Sequence, residues 1–212
     1  MEQNIDTLIQ HFKASYSQSL SFDYKDRLPM TLGTMEETTA RLTALYQLEV
    51  ESRGIRYIPD EFTSKSIERV TKWLHFSHQR GLLLYGTLGN GKTTMLRAIS
   101  RLFHGKSFLI SAQNLYDYEK DNALTRSQRR LLLIDDLGTE PERCLVYGEE
   151  RHPMTDIILE RYQDNLTTII ATNLSLDDIK IRYGARVQDR LIEMYAGIYY
   201  DADSYRNRIS YD

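Results

Sequence analysis

Apolar and polar positions alternate along this chain in patterns that predict its elements one after another. Ile5, Leu8, Ile9, Phe12 and Tyr16 recur at i, i+3, i+4, i+7 and i+11, the face of a helix. Residues 19–34 hold Pro29 and Gly33 without a period and read as a connection. A second helix is predicted over about 35–52, with Leu42, Leu45 and Tyr46 on one side and Gly54 closing it. Residues 56–62 read as an extended linker, and a helix from about Ser64 turns Ile67, Val70 and Leu74 inward until Gly81 ends it. Gly81-Leu82-Leu83-Leu84-Tyr85 reads as a short buried strand, after which Met95, Ile99, Leu102 and Phe103 return to helical spacing. Ser107-Phe108-Leu109-Ile110 predicts another strand, and the polar stretch 112–130 a helix ending in Arg126, Arg129 and Arg130. Leu131-Leu132-Leu133-Ile134 is apolar without interruption, as a strand covered on both faces should be. Pro153 suits the first turn of a helix containing Met154, Ile157, Ile158 and Tyr162. A β-rich strand over 166–173, a helix over 185–194 and a last strand over 197–201 complete the order. Strands alternating with helices predict an α/β fold built on a parallel sheet.

The chemistry enters between the first of these strands and its helix. Gly86-Thr87-Leu88-Gly89-Asn90-Gly91-Lys92-Thr93-Thr94 fits the pattern G-x-x-x-x-G-K-[ST] at every defining position. Glycines let the backbone curl around phosphate oxygens where a side chain would collide. The exposed amides and the positive end of the following helix favour the anion. Gly86, Gly89, Asn90, Gly91, Lys92, Thr93 and Thr94 are therefore the expected nucleotide-binding residues, with Lys92 on the β- and γ-phosphates and the Thr93 hydroxyl on Mg²⁺. A glycine-rich turn with an incidental lysine is a poor account of a complete motif flanked by strand and helix. The second signal is Asp135-Asp136, which closes the apolar strand at the rim where α/β sheets bind ligands. Asp135 is expected to help hold the metal, and Asp136 to orient or deprotonate the attacking water. Asn173, at the end of the next strand, would contact the γ-phosphate or that water, although a lone asparagine there is more often a turn former. Arg186 and Arg190 lie one helical turn apart, and spacing alone makes them a solvated or salt-bridged face.

Composition narrows the setting. The 212 residues carry a formal net charge of −3, so nothing pulls the whole chain toward nucleic acid, and any DNA contact needs a local basic patch. Arg126, Arg129, Arg130 and the Tyr/Arg-rich tail are the candidates for single-stranded DNA. Cys144 is the single cysteine, which excludes an internal disulfide and a thiolate cluster. No apolar run approaches the ~20 residues of a membrane span, and the first residues lack the pattern of a signal peptide, so a cytoplasmic protein is expected.

Taken together, GLLLYGTLGNGKTT, LLLIDDLG, TTIIATNLS, RYGARVQDRL and DSYRNR resemble, in order and approximate spacing, the DnaC/DnaI-type helicase loaders of the AAA+ ATPases, with IstB-like transposition ATPases as close relatives. The resemblance runs from about Tyr57 to the C-terminus. It implies an AAA+ P-loop core with a five-stranded parallel sheet, a reduced C-terminal lid and a short helical N-terminal arm, divided as a partner-binding arm over 1–55 and an ATPase domain over 56–212. It also implies bound ATP and Mg²⁺, with Asp136 standing where many AAA+ proteins have a catalytic glutamate and Asn173 matching sensor 1. Arg190 matches the arginine finger of a neighbouring subunit, with Arg186 as the alternative register, and Arg206 matches sensor 2. Tyr57 and Ile58 are candidates for the adenine side, because the family runs its pre-core linker past the base. The function implied is an ATPase, stimulated by assembly and by single-stranded DNA, that loads a replicative helicase gripped by the arm. An IstB-like transposition or phage-replication accessory ATPase uses the same core chemistry with another partner. A non-hydrolysing nucleotide-binding adaptor and a small-molecule kinase of the P-loop group are the alternatives from other classes. Kinases usually begin almost at the P-loop, whereas here the motif starts at Gly86.

Overall fold

The computed structural model describes residues 28–114, 131–146, 149–201 and 205. The helix expected from Ile5 to Tyr16 and the arginines 126, 129, 130 and 206 lie outside the described residues. Five parallel strands make the central sheet: β1 (Gly81–Gly86), β2 (Ser107–Ser111), β3 (Leu131–Leu137), β6 (Thr168–Thr172) and β7 (Tyr195–Tyr200), in the order β2-β3-β6-β1-β7. The strands β1, β3 and β6 are the continuous apolar runs, and they occupy the middle because only there are both faces covered. The last strand starts earlier than expected, at Tyr195, and lies on an edge with alternating burial. A short antiparallel hairpin of β4 (Cys144–Val146) and β5 (Glu149–Arg151), which the sequence pattern did not announce, stands apart from this sheet.

The helices fall on two sides. On one face, α1 (Met35–Glu51), α2 (Glu61–Phe76) and α3 (Lys92–Leu102) pack Leu42, Val70, Leu74, Met95 and Ile99 against Leu82, Leu84 and Leu133. On the other, α4 (Pro153–Gln163), α5 (Leu176–Tyr183) and α6 (Ala185–Met194) pack Ile158, Ile179, Val187 and Leu191 against Leu83, Leu132 and Ile170. Neighbouring leucines of β1 thus serve opposite layers, as the period of a strand dictates.

Helix ends follow local chemistry. Thr34 and Glu37 form a reciprocal capping box at the start of α1. The Asp60 carboxylate accepts the Thr63 amide at 2.8 Å, so α2 begins at Glu61, earlier than periodicity suggested, and it ends at Phe76 because Gly81 already belongs to β1. Ser175 and Asp178 box the start of α5, a helix not foreseen and too short for its apolar period to stand out. Expected and observed bounds of α6 coincide.

Helix α1, assigned by sequence to the arm, buries Leu42 and Tyr46 in the same core as α2 and α3. Leu42→Ala should therefore lower the stability of the whole described domain by about 2–5 kcal/mol. Chemical denaturation followed by far-UV circular dichroism checks this. A change near zero would mean that α1 does not share that core.

Candidate functional site

The phosphate-loop motif folds into a tight turn between β1 and α3. Gly86 has φ +132°, and a Cβ there would collide with the Tyr200 carbonyl; Gly91 has φ +95°, and a Cβ there would strike the Tyr46 hydroxyl. Only glycine fits such backbone and such approach. The turn is stitched to the end of β7, because the Thr87 amide donates to Tyr200 O at 3.0 Å and the buried Asn90 Nδ2 donates to the same oxygen at 2.6 Å. Helix α3 starts at Lys92 without a side-chain cap, so its first amides and the positive end of its dipole face the loop.

Lys92 is only 6% exposed. Its Nζ donates to Gly86 O at 3.0 Å, to Asn90 Oδ1 at 3.2 Å and to Thr87 O. Burial pushes its ammonium down to about 8, while the carboxylates of Asp136 and Asp135 pull the other way. Thr93 Oγ1 donates to Asp135 Oδ1 at 2.9 Å. Burial raises the Asp135 carboxyl above the ordinary range; Asp136 adds to this, and the Thr93 hydroxyl and Arg97 oppose it. Asp136 itself sits at φ +54°, and the pairing of β3 with β6 shifts register between Ile134 and Leu137. The strand is kinked at its acids, a common device for re-aiming side chains beside a site.

The structure brings the P-loop residues, Asp135 and Asp136 together. Asn173 is exposed and follows directly on Thr172, which pairs with Tyr85 of β1 and Leu137 of β3, so it stands on the rim between the loop and the acids. The two arginines are placed differently. Arg190 Nη1 lies 2.8 Å from Glu193 Oε2 and 3.5 Å from Asp189, and its guanidinium rests 4.6 Å above the Tyr162 ring. None of these contacts is with the P-loop, Asp135 or Asp136 of its own chain. Arg186 is exposed and makes no hydrogen bond or ion pair to another described residue. Of the adenine-side candidates, Tyr57 meets Tyr46 edge-on at 6.2 Å between centroids, and Ile58 is 65% exposed.

Some residues around the loop carried no sequence signal. Arg53 Nη2 donates to Thr94 Oγ1 at 2.6 Å, and the buried Glu49 pairs with Arg101, so the end of α1 is bonded directly to α3. Tyr205 donates its amide to Gly89 O at 2.9 Å and its hydroxyl to Asp60 Oδ2 at 3.0 Å. The Asp60 cap was missed as well, because residues 56–62 read as an extended linker, although an acid preceding an apolar-periodic run is a signal that could have found it.

Among the described residues no group of three or more His, Cys, Asp or Glu could hold a metal by itself. The hydroxyl of Thr93 and the carboxylate of Asp135 are hard oxygen donors of the kind that complete the shell of a Mg²⁺ carried by phosphates. The residues present fit that ion.

Comparison with known proteins agrees with this architecture. The chain is 26% identical over 152 residues to the replicative helicase loader DnaI of Bacillus subtilis (strain 168), a match covering 60% of this chain and 48% of that protein. It thus spans about half the length of the curated relative it matches. Among solved structures, a crystal structure of DnaI superposes with a TM-score of 0.54 at 21% identity, covering 70% of this chain and 86% of that one. AMPPCP-bound DnaA from Aquifex aeolicus superposes at 0.51 and 20% identity, over 69% of this chain and 49% of that one. No family model matches the chain. The fold is the one shared by these DnaI and DnaA structures, and the resemblance to the DnaC/DnaI-type loaders stands.

Phosphates bound at the loop would stabilise the charged form of Lys92, so above a pH of about 8 binding would first have to reprotonate it. Triphosphate affinity should be level with respect to Lys92 below that pH and fall above it, toward about tenfold per pH unit. Titrating a fluorescent nucleotide across this range checks the sign. Affinity that stays constant through it would mean the ammonium does not meet the phosphates.

Proposed function

We propose that this chain is an ATP-binding and ATP-hydrolysing accessory protein of DNA replication, acting in the cytoplasm to load a replicative helicase onto single-stranded DNA. The observation that carries the chemistry is the 2.9 Å contact of Thr93 with Asp135 beside the buried Lys92, at the uncapped start of α3. That arrangement supports a triphosphate held by the loop amides and Lys92. Thr93 and Asp135 would hold a Mg²⁺ ion, which would supply neutralisation of the phosphate charge. Thr94 is the remaining loop member, packed under Arg53.

Asp136 takes the water-orienting role, favoured by its position at the kinked end of β3 and its action on the Lys92 ammonium. Asn173, on the rim between Asp136 and the loop, reads the terminal phosphate or the water. Arg206 is assigned to sensor 2 from the sequence resemblance. Arg190 serves in trans, with Arg186 the alternative, since its contacts leave it on the surface of α6 and α4 instead of at its own loop. Hydrolysis would then be complete only where one subunit's α6 faces the next subunit's triphosphate. Assembly on single-stranded DNA would raise the rate, and hydrolysis would release the helicase. The likeness to the B. subtilis loader and to replication-protein structures supports this choice of partner. The arm, residues 1–55, is the proposed grip, and its helix α1 lies against the P-loop helix.

Lys92→Ala should abolish nucleotide binding. Arg190→Ala should keep binding and lose hydrolysis by about 10³-fold or more. Mixing the two variants should recover part of the phosphate release, because one brings the intact loop and the other the intact arginine. Loss of ATP binding in Arg190→Ala itself would defeat the trans role, and co-purification with a transposase in place of a helicase would defeat the choice of partner.

A further inference from the structure

Just beyond Asp136 stands a carboxylate that the proposed chemistry does not use. Glu140 is 5% exposed, and a charge so far from water persists only where it is paired and hydrogen-bonded. Its Oε2 accepts the Gly138 amide at 2.9 Å, its Oε1 accepts the Tyr183 hydroxyl, and Arg182 Nε lies 3.6 Å away. Arg182 also donates to the Glu140 carbonyl and reaches Glu142 Oε1 at 3.3 Å. The Tyr183 phenol is held protonated, chiefly by burial and then by its bond to Glu140.

These contacts close a turn whose two ends matter. At one end, the Thr139 amide and hydroxyl donate to Asp136 O at 3.1 and 2.8 Å, fixing a residue already at positive φ. The turn leaves no slack on its flank, because a Cβ on Gly138 would lie 2.7 Å from Leu174, immediately after Asn173. At the other end, Arg182 and Tyr183 are the last residues of α5, and Gly184 leads straight into α6 with Arg186 and Arg190. Gln188 Nε2 donates to Leu176 O at 2.9 Å, so α5 and α6 are bonded to each other as well.

We propose that Glu140 is a positioning residue that fixes the turn bearing Asp136 and, through Arg182 and Tyr183, sets the placement of α6 relative to it. The inference rests on the ATPase reading above and deepens it. The same carboxylate ties a chain's own water-orienting acid to the arginines it would present to its neighbour, so adjacent sites are geared through one partly buried ionic cluster.

Glu140→Gln keeps the shape and an acceptor for Gly138 but removes the charge that holds Arg182. With assembled protein on single-stranded DNA, nucleotide affinity should stay unchanged while turnover at saturating ATP falls about ten- to a hundredfold, the scale of a slightly misplaced catalytic group. Tyr183→Phe, which keeps the ring, should move turnover in the same direction by less, and it replaces Glu140→Gln as the test if that variant fails to fold. Amide hydrogen exchange should quicken at Gly138, Thr139 and across α6 in either variant, a readout independent of turnover. Unchanged turnover with intact binding, a rise in KM with kcat preserved, or unaltered exchange in α6 would each overturn the inference. If the unsubstituted protein binds but never hydrolyses ATP, the proposed function fails instead, and the exchange comparison still decides whether Glu140 links the two elements.

Discussion

A nearly buried ammonium has to be answered by oxygen, and the arrangement of this fold follows from how Lys92 is answered. Its proton donors are directed at backbone and amide oxygens of the loop it belongs to, with the two acids of β3 close enough to stabilise its charge. Those acids do not sit on a neighbouring strand. In the order β2-β3-β6-β1-β7, strand β6 separates β3 from β1, so the Thr93–Asp135 bond spans the mouth of the sheet. That bridge requires parallel strands that end at a common edge and a strand between them that stops short with a small polar residue. Thr172 meets this need by spending its hydroxyl on Leu137 O at 2.7 Å and on the Leu174 amide at 3.0 Å. The rim is therefore held by the protein's own hydrogen bonds, as electrostatic catalysis there would require.

Support for the loop comes from both chain directions. From the C-terminal side, the Tyr200 carbonyl accepts two donors of the loop and Tyr205 holds Gly89. From the N-terminal side, Tyr46 covers Gly91 and Arg53 reaches Thr94. Such a loop has few alternative conformations, which lowers the ordering entropy that a phosphate would otherwise have to overcome. A segment read as an accessory arm consequently contributes the outer wall of the site.

The layers and the clustering of the candidate site were legible because each rests on a local signal: apolar runs for the inner strands, a complete glycine-lysine motif, and acids ending a strand. The hairpin at Cys144–Arg151 and the helix Leu176–Tyr183 escaped, although Ser175 and Asp178 spell a capping box. Their apolar periods are too short to rise above the polar background. Asn90 was assigned to the loop, but its pull on Tyr200 is a contact between positions 90 and 200 that no spacing encodes. Glu140 reads in the sequence as one more acid in a polar turn. What sets it apart is burial, produced by Tyr183 and Arg182 arriving from another element.

The placement of Arg190 bears on why such a site would be divided between subunits. In the single chain its charge is already met by Glu193 and Asp189 and by the face of Tyr162. These are surface contacts, which water and salt weaken and which are cheap to exchange. A phosphate oxygen in a site closed by a second subunit is a stronger partner, since excluding water strengthens every charge within it. The guanidinium is thus oriented by surface contacts and not deeply buried, as the proposed role in trans would need. Tyr162 limits where it can point without binding it firmly. Had Arg190 been buried with its carboxylates, release would cost more than a new partner returns, and a finger could not be offered at all.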